Sequence, residues 1–438
     1  MFRLTRVGGV LVLAAAVVAS VAPTGGPPAP PRSIPSPRLA DFQVDDLHMV
    51  STRVGWAVDG VTGDVLHTVG DASAWRVADP PGRTLPGYLA TPVAFLGGGQ
   101  AWAVIAGSGP SQIAVARTAD GGSRWTRGPS LDPLGGMEAG LPPGDLMIIS
   151  IVSLDFVTSQ EGWLAVSLSE EATRDQGIAG TGVGLVVYRT TDGGAAWSTE
   201  LRFTPFTLHE GGLSSGCASS QIEFTSPSQG WAAGSCLERT QDGGITWRSV
   251  FLPPPTGISI QRWRGSSCGS SPPSFATAST GWLALDCAVP GAAGERRDVQ
   301  VLYQTSDGGL RWIPRQPPGR WPQLPPTYTT PDVHDLGARA WLLGATAPAF
   351  NSGEPGANFA ALYETANGGA SWALVNPALP ASAVDFVSPG AGFAVRACFG
   401  GVACASPMLL ATRNGGVSWS RLHPHLVSGR LASAIPFK

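Results

Sequence analysis

The sequence predicts an all-β, seven-bladed β-propeller of four-stranded antiparallel blades. Three observations carry that expectation: an eight-residue turn motif repeated along the chain, an aromatic motif alternating with it, and a composition rich in turn formers. Six copies of the turn obey T-x-[DN]-G-G-x-x-W: TADGGSRW at 118, TTDGGAAW at 190, TQDGGITW at 240, TSDGGLRW at 305, TANGGASW at 365 and TRNGGVSW at 412. TVGDASAW at 68 is a degenerate seventh that keeps Thr68 and Trp75 but lacks the double glycine. Ahead of each copy, a small residue and an aromatic open an apolar run: GWAVD at 55, AWAVI at 101, GWLAV at 162, GWAAG at 230, GWLAL at 281, AWLLG at 340 and GFAVR at 392. The two motifs account for thirteen of the fifteen tryptophans, so most of this unusual tryptophan content belongs to the repeat. Successive aromatics of the second motif lie 46 to 68 residues apart, enough for four short strands and their loops.

Each unit follows the same order. Strand A is the run before the aromatic motif (SQIEF at 220, SAVDF at 382), and strand B opens with that motif. Strand C leads into the turn (GLVVYRT at 184, VQVLYQT at 299, AALYET at 360), and strand D carries the turn's tryptophan. In the turn, Asp120, Asp192, Asp242, Asp307, Asn367 and Asn414 share one position. A side-chain oxygen there accepts backbone N–H groups and the glycines supply left-handed angles, while the tryptophan packs between blades. Asparagine in two copies excludes a catalytic carboxylate at this position and suits a turn cap. Tyr188, Tyr303 and Tyr363 occupy one equivalent place on strand C, which points to packing. The terminal run ASAIPF at 432 echoes ASAVDF at 381 and is expected to close the ring as an extra strand.

Outside the repeat, residues 1–22 carry Arg3, Arg6 and the apolar run VGGVLVLAAAVVASVA, the pattern of a secretory signal peptide or an uncleaved N-terminal membrane anchor. Residues 23–40 are a Pro-rich linker, and 41–438 hold the propeller. A net charge of -3 and a pI near 6.1 leave no basic field for a nucleic-acid backbone. The expected location is secreted or in the extracytoplasmic envelope.

The turn motif resembles the Asp-box of bacterial neuraminidase repeats. Its pairing with the GW motif is closest to the photosystem II assembly and stability factor family of seven-bladed propellers, over nearly all of the chain from about residue 42. The resemblance implies a propeller whose Asp-boxes are structural and lie away from any active site. It is a poor guide to activity, because Asp-box propellers include sialidases, xyloglucan-degrading enzymes, sorting receptors and non-catalytic assembly factors.

The cysteines obey the repeat. Cys217 and Cys236 lie fourteen before and five after Trp231, and Cys268 and Cys287 hold the same offsets around Trp282. Across an A–B hairpin these offsets face each other, so pairs 217–236 and 268–287 are expected, with 398–404 a local pair in CFGGVAC. Disulfides fit an oxidising compartment. A metal site is the competing reading, disfavoured because the pairs lack CxxC spacing and well-placed histidines; no metal or cofactor is expected.

A–B and C–D turns share one face of a propeller and are short here. B–C and D–A connections share the other, which carries the long variable segments at 126–148, 167–182, 289–298 and 345–359 and Pro-rich loops near 252 and 317. Binding sites concentrate on such loops. The two tryptophans outside the repeat, Trp263 beside Arg262 and Arg264, and Trp321 beside Arg320, fall there. Two readings stand: a patch for an unidentified protein or glycan partner, or rings that cover blades 5 and 6 beside the 268–287 bridge.

A sialidase-like reaction requires a nucleophilic tyrosine, an arginine cluster and acids. Only Tyr88 and Tyr328 remain after the strand-C tyrosines. Asp145, Asp155, Glu170, Glu171, Asp175, Glu295, Asp298, Asp332 and Asp335 populate strands and loops near the variable face, where solvated charge is the plain reading and a glycosidase pair the sharp one. Histidines 48, 67, 209, 334, 423 and 425 form no close ligand set, HPH at 423 reading as a terminal loop. The sequence thus favours a non-catalytic exported binding or scaffold propeller, with a glycosidase and a photosystem II assembly factor as alternatives.

Overall fold

The computed structural model describes residues 44–59, 62–70, 72–82, 92–109, 111–135, 146–171, 183–203, 221–234, 237–291, 295–315, 332–337, 339–345, 360–396 and 408–428. They form seven antiparallel blades in a ring, spanning 44–77, 93–131, 146–203, 221–249, 267–315, 332–379 and 383–422. Each blade runs A-B-C-D outward from the centre in the predicted order. In blade 5 the inner strand is split into Ser267–Ser270 and Ser274–Phe275, both paired with Gly281–Pro290. Among the described residues no helix is long and apolar enough to cross a membrane.

The two motifs interlock across blade boundaries, which explains their alternation. The indole Nε1 of Trp102 donates to the carbonyl of Gly193 in the next blade's turn at 2.9 Å, Trp163 to Gly243 at 2.9 Å and Trp341 to Gly415 at 3.1 Å. A strand-A phenylalanine of that next blade lies flat on the same indole: Phe156 on Trp102 at 3.8 Å, Phe224 on Trp163 at 3.8 Å and Phe386 on Trp341 at 3.9 Å. The turn's own tryptophan meets the phenylalanine edge-on, as Trp197 does Phe156 and Trp247 does Phe224. A three-ring cluster with one buried hydrogen bond therefore seals each such boundary. The second glycine of the turn also has a packing reason, since a Cβ on Gly309 or Gly369 would collide with the indole of Trp231 or Trp282.

Within the turn, the Thr118 hydroxyl donates to Asp120 Oδ1 at 3.0 Å and accepts the Gly122 amide, and Asp120 Oδ1 accepts the Arg124 amide at 2.9 Å. Gly121 and Gly122 take φ of 71° and 84°. Asp192, Asp242 and Asp307 repeat the pattern. Asn367 and Asn414 keep it through Oδ1 and turn the amide nitrogen to the hydroxyls of Ser371 and Ser418, 2.8 Å away. A carbonyl oxygen is all the turn requires, so Asp and Asn interchange.

The ring closes by means the repeat did not announce. His425–Ser428 adds to blade 1 as a fifth strand, parallel to Ala74–Val77, with the His425 amide on Ser73 O at 2.7 Å. Of HPH at 423, His423 and Pro424 form the connection expected and His425 opens the closing strand, a correction for that residue alone; a free outer edge on blade 1 is what the strand satisfies. ASAIPF lies outside the described residues. On the inner side, the Met49 amide donates to Asp385 Oδ2 of blade 7 at 2.6 Å.

The inner two strands share one irregularity. Their register slips by a single residue between the second and third positions after the aromatic in blades 1 and 3, and between Trp282 and Leu285 in blade 5. In blade 5 the slip sets Cys268 directly opposite Cys287, and the two are disulfide-bonded. Cys217, Cys236, Cys398 and Cys404 lie outside the described residues.

Candidate functional site

The loop-face end of blade 5 gathers residues that the sequence scatters over thirty-five positions. In the D–A connection, Ser259 caps a one-turn helix, Ile260–Arg264, its hydroxyl accepting the Arg262 amide. The helix is too short to stand by itself and is held by its tryptophan. Trp263 is 8 % exposed, donates Nε1 to Leu252 O at 2.8 Å, and packs with Cys287, Val289 and Tyr303. Tyr303 donates its hydroxyl to Pro253 O at 2.6 Å, pinning the same connection, and its burial raises the phenol's pKa. Of the two readings for Trp263, the structure supports the cover: its ring belongs to the core beside the 268–287 bridge, because only there are both its apolar body and its N–H satisfied.

The neighbouring arginines are arranged differently. Arg262 Nε donates to Pro290 O at 2.7 Å, tying the helix to the B–C hairpin. Arg264 is exposed. On the hairpin, Arg296 stands directly opposite Pro290 and Arg297 opposite Val289, and both side chains are exposed. Among the described residues Arg264, Arg296 and Arg297 enter no ion pair; Glu295 is an exposed acid beside them. Arg296 and Arg297 belong to the variable segment 289–298, where ERRD beside a hairpin tip is their signal in the sequence. Arg320 and Trp321 lie outside the described residues.

The carboxylates fall elsewhere than expected. Asp155 and Asp335 sit at the A–B turn end of their inner strands, opposite Trp163 and Ala340, and so are remote from the loop face. Asp155 Oδ2 accepts the Phe224 amide of the next blade at 2.6 Å, and burial pushes its pKa up to about 6 against the pull of that hydrogen bond. Asp385 does the same for Met49, its pKa raised chiefly by burial and drawn back by the Met49 amide and the nearby His334 and His48. These residues share one register position, opposite the strand-B aromatic, where His48, Ala94, Asp155, Glu223, Ser274, His334 and Asp385 form a ring around the centre. His334 Nε2 likewise meets the Phe386 amide and carbonyl of blade 7. Asp155, His334 and Asp385 of this ring act as inter-blade latches.

A cavity of about 40 Å³ beside Asp46 and Asp385 has space for a water or two, too little for a sugar ring. Glu170, Glu171, Asp298 and Asp332 lie on strands; Asp145, Asp175, Tyr88, Tyr328 and His209 lie outside the described residues. Tyr188, Tyr303 and Tyr363 are all buried, opposite Leu164, Leu283 and Leu342, the residue after each aromatic. Among the described residues no group of His, Cys, Asp and Glu is placed to hold a metal ion.

Fold and site together define a seven-bladed β-propeller with a rigid, arginine-bearing rim. No family model matches the chain, and no curated protein does. Solved structures do. YCF48 from Cyanidioschyzon merolae is similar at 14 % identity and a TM-score of 0.39, over 78 % of this chain and 86 % of that one. An ancestral GH74 enzyme is similar at 13 % identity and a TM-score of 0.44, over 85 % of this chain, which spans only 44 % of the enzyme's length. A PL25 ulvan lyase bound to a GlcA–Rha3S saccharide is similar at 11 % identity and a TM-score of 0.39, over 87 % and 85 %.

Proposed function

We propose that this chain is an exported, non-catalytic binding propeller that presents its loop face to a protein or glycan of the cell envelope. The carrying observation is the rim of blade 5, where three exposed guanidiniums without ion partners among the described residues stand on a helix and hairpin locked to the core. Charge left unneutralised on a rigid support is suited to capturing a partner. Asp155, a buried acid that a glycosidase reading would recruit, is committed to the Phe224 amide of the next blade, and Asp335 Oδ1 to the Gly337 amide. The Cys268–Cys287 bridge fits an oxidising compartment, in keeping with export. The reading needs no cofactor.

Two measurements test it. A photo-crosslinker at the exposed Gln261 should capture an adduct in the native envelope, lost on Arg264→Glu; an adduct indifferent to Arg264 overturns the site. The purified protein should release no reducing ends from a panel of glycans, and turnover of any of them overturns the non-catalytic reading.

A further inference from the structure

We infer that the blade 5 rim recognises an acidic polysaccharide, a chain of sugars bearing carboxylate or sulfate groups. The inference deepens the binding reading above and rests on it. Its added observation is Phe251, which is 63 % exposed although it sits one residue before the buried Leu252. Leu252 O accepts the Trp263 indole, and Arg264 follows Trp263, so Phe251 and Arg264 flank one hydrogen bond. An exposed aromatic ring, the exposed guanidiniums of Arg264 and Arg296, which have no ion partner among the described residues, and a further guanidinium fixed on Pro290 O thus border one locked connection.

Each part matches one part of such a sugar. The C–H face of a pyranose is apolar and packs on an aromatic face, while its hydroxyl edge and anionic group stay in water. A guanidinium presents parallel N–H donors that fit a carboxylate or sulfate two at a time. Arg264 precedes Gly265, which packs on Pro290, and Arg296 stands directly opposite Pro290 on the hairpin, while Arg297, the next residue of the strand, leaves the hairpin's other face. Cations carried on two neighbouring elements suit a polymer with a charge on successive units better than one small anion. A planar anionic membrane would have to meet the whole loop face, of which this rim is a single part. The chain as a whole is slightly acidic, so general attraction of polyanions does not explain such a preference.

Affinity electrophoresis of the full chain tests the inference, with alginate, dextran sulfate or neutral dextran in the gel. Retardation is expected with alginate or dextran sulfate, at least one of the two, and none with neutral dextran. Arg264→Glu and Arg296→Glu should each weaken it about ten-fold, the value of one hydrogen-bonded charge. Phe251→Ala should weaken it without changing its salt dependence, and an unaltered melting curve will show that each variant is folded. No retardation by either polyanion, equal retardation of wild type and variants, or stronger binding to vesicles containing phosphatidylglycerol overturns the inference. In each of those cases an Arg264-dependent adduct at Gln261 still upholds a binding face for another partner.

Discussion

Replacing Asp335 by asparagine should stabilise the propeller at neutral pH and leave it nearly unchanged at pH 4. Five blades place a phenylalanine at this inner-strand position, opposite the small residue that precedes the aromatic: Phe95, Phe156, Phe224, Phe275 and Phe386. Blade 6 puts a carboxylate there, 8 % exposed, where Trp282 and Trp372 meet edge-to-face without a third ring. Burial pushes its pKa from 3.8 up to about 6, opposed by the Gly337 and Ala276 amides and by His334. The folded state therefore holds a proton that the unfolded chain has given up between those two values. Stability is fully present below pH 3.8 and declines as the pH rises through 6. A displacement of about two pKa units corresponds to about 3 kcal/mol. Asparagine still offers its oxygen to the Gly337 amide, 2.9 Å from Asp335 Oδ1, and carries no charge to desolvate. With about 2 cal/mol/K of unfolding entropy per residue, 3 kcal/mol amounts to about 4 °C for a ring of this size. Thermal unfolding of both proteins at pH 4 and pH 8 measures it directly. An equal shift at the two pH values, or a loss of stability at pH 8, would refute a buried, destabilising carboxylate.

Three further outcomes follow from the packing. Trp163→Phe retains a ring against Phe224 but orphans the Gly243 carbonyl and should cost about 1–3 kcal/mol in urea denaturation, against about 3–5 kcal/mol for Trp163→Ala. Asn367→Asp should be close to neutral and Asn367→Ala should cost about 1 kcal/mol, because the turn uses only the side-chain oxygen. Peptide mapping without reductant should return a 217–236 linkage and a 398–404 linkage alongside 268–287, and Cys268→Ser should cost about 3 kcal/mol.

The architecture was legible because the repeat is written in residues with few substitutes. Only glycine fits both the left-handed angle of Gly122 and the space claimed by a neighbouring indole at Gly309, and only tryptophan both stacks and donates. Blade 5's disulfide was also legible. Offsets of fourteen and five encode the register slip without naming it, and the slip is what turns 268 and 287 into partners. The site was less legible. Trp263 and Arg264 are adjacent in sequence, yet one is core and the other surface, a division set by the Leu252 carbonyl and by no local pattern. Arg296 joins Arg264 only because a hairpin ten residues long on each side carries it up beside the helix. Asp155 and Asp335 read as loop charge because strand ends look like loops when their partners belong to another blade.

The interlock between blades also gives the ring a direction and a closing seam unlike the other boundaries. Trp102, Trp163 and Trp341 each donate forward to the next blade's turn, but at the last boundary the forward residue is Phe393, which has no N–H, and the receiving turn at 68 lacks the double glycine. That boundary is held by an apolar cluster of Val44, Met49, Trp75, Phe393 and Val395, by Asp385 at the inner edge and by His425–Ser428 at the outer edge. Removing His425–Ser428 would strip blade 1 of its fifth strand and bare the outer edge of Ala74–Val77.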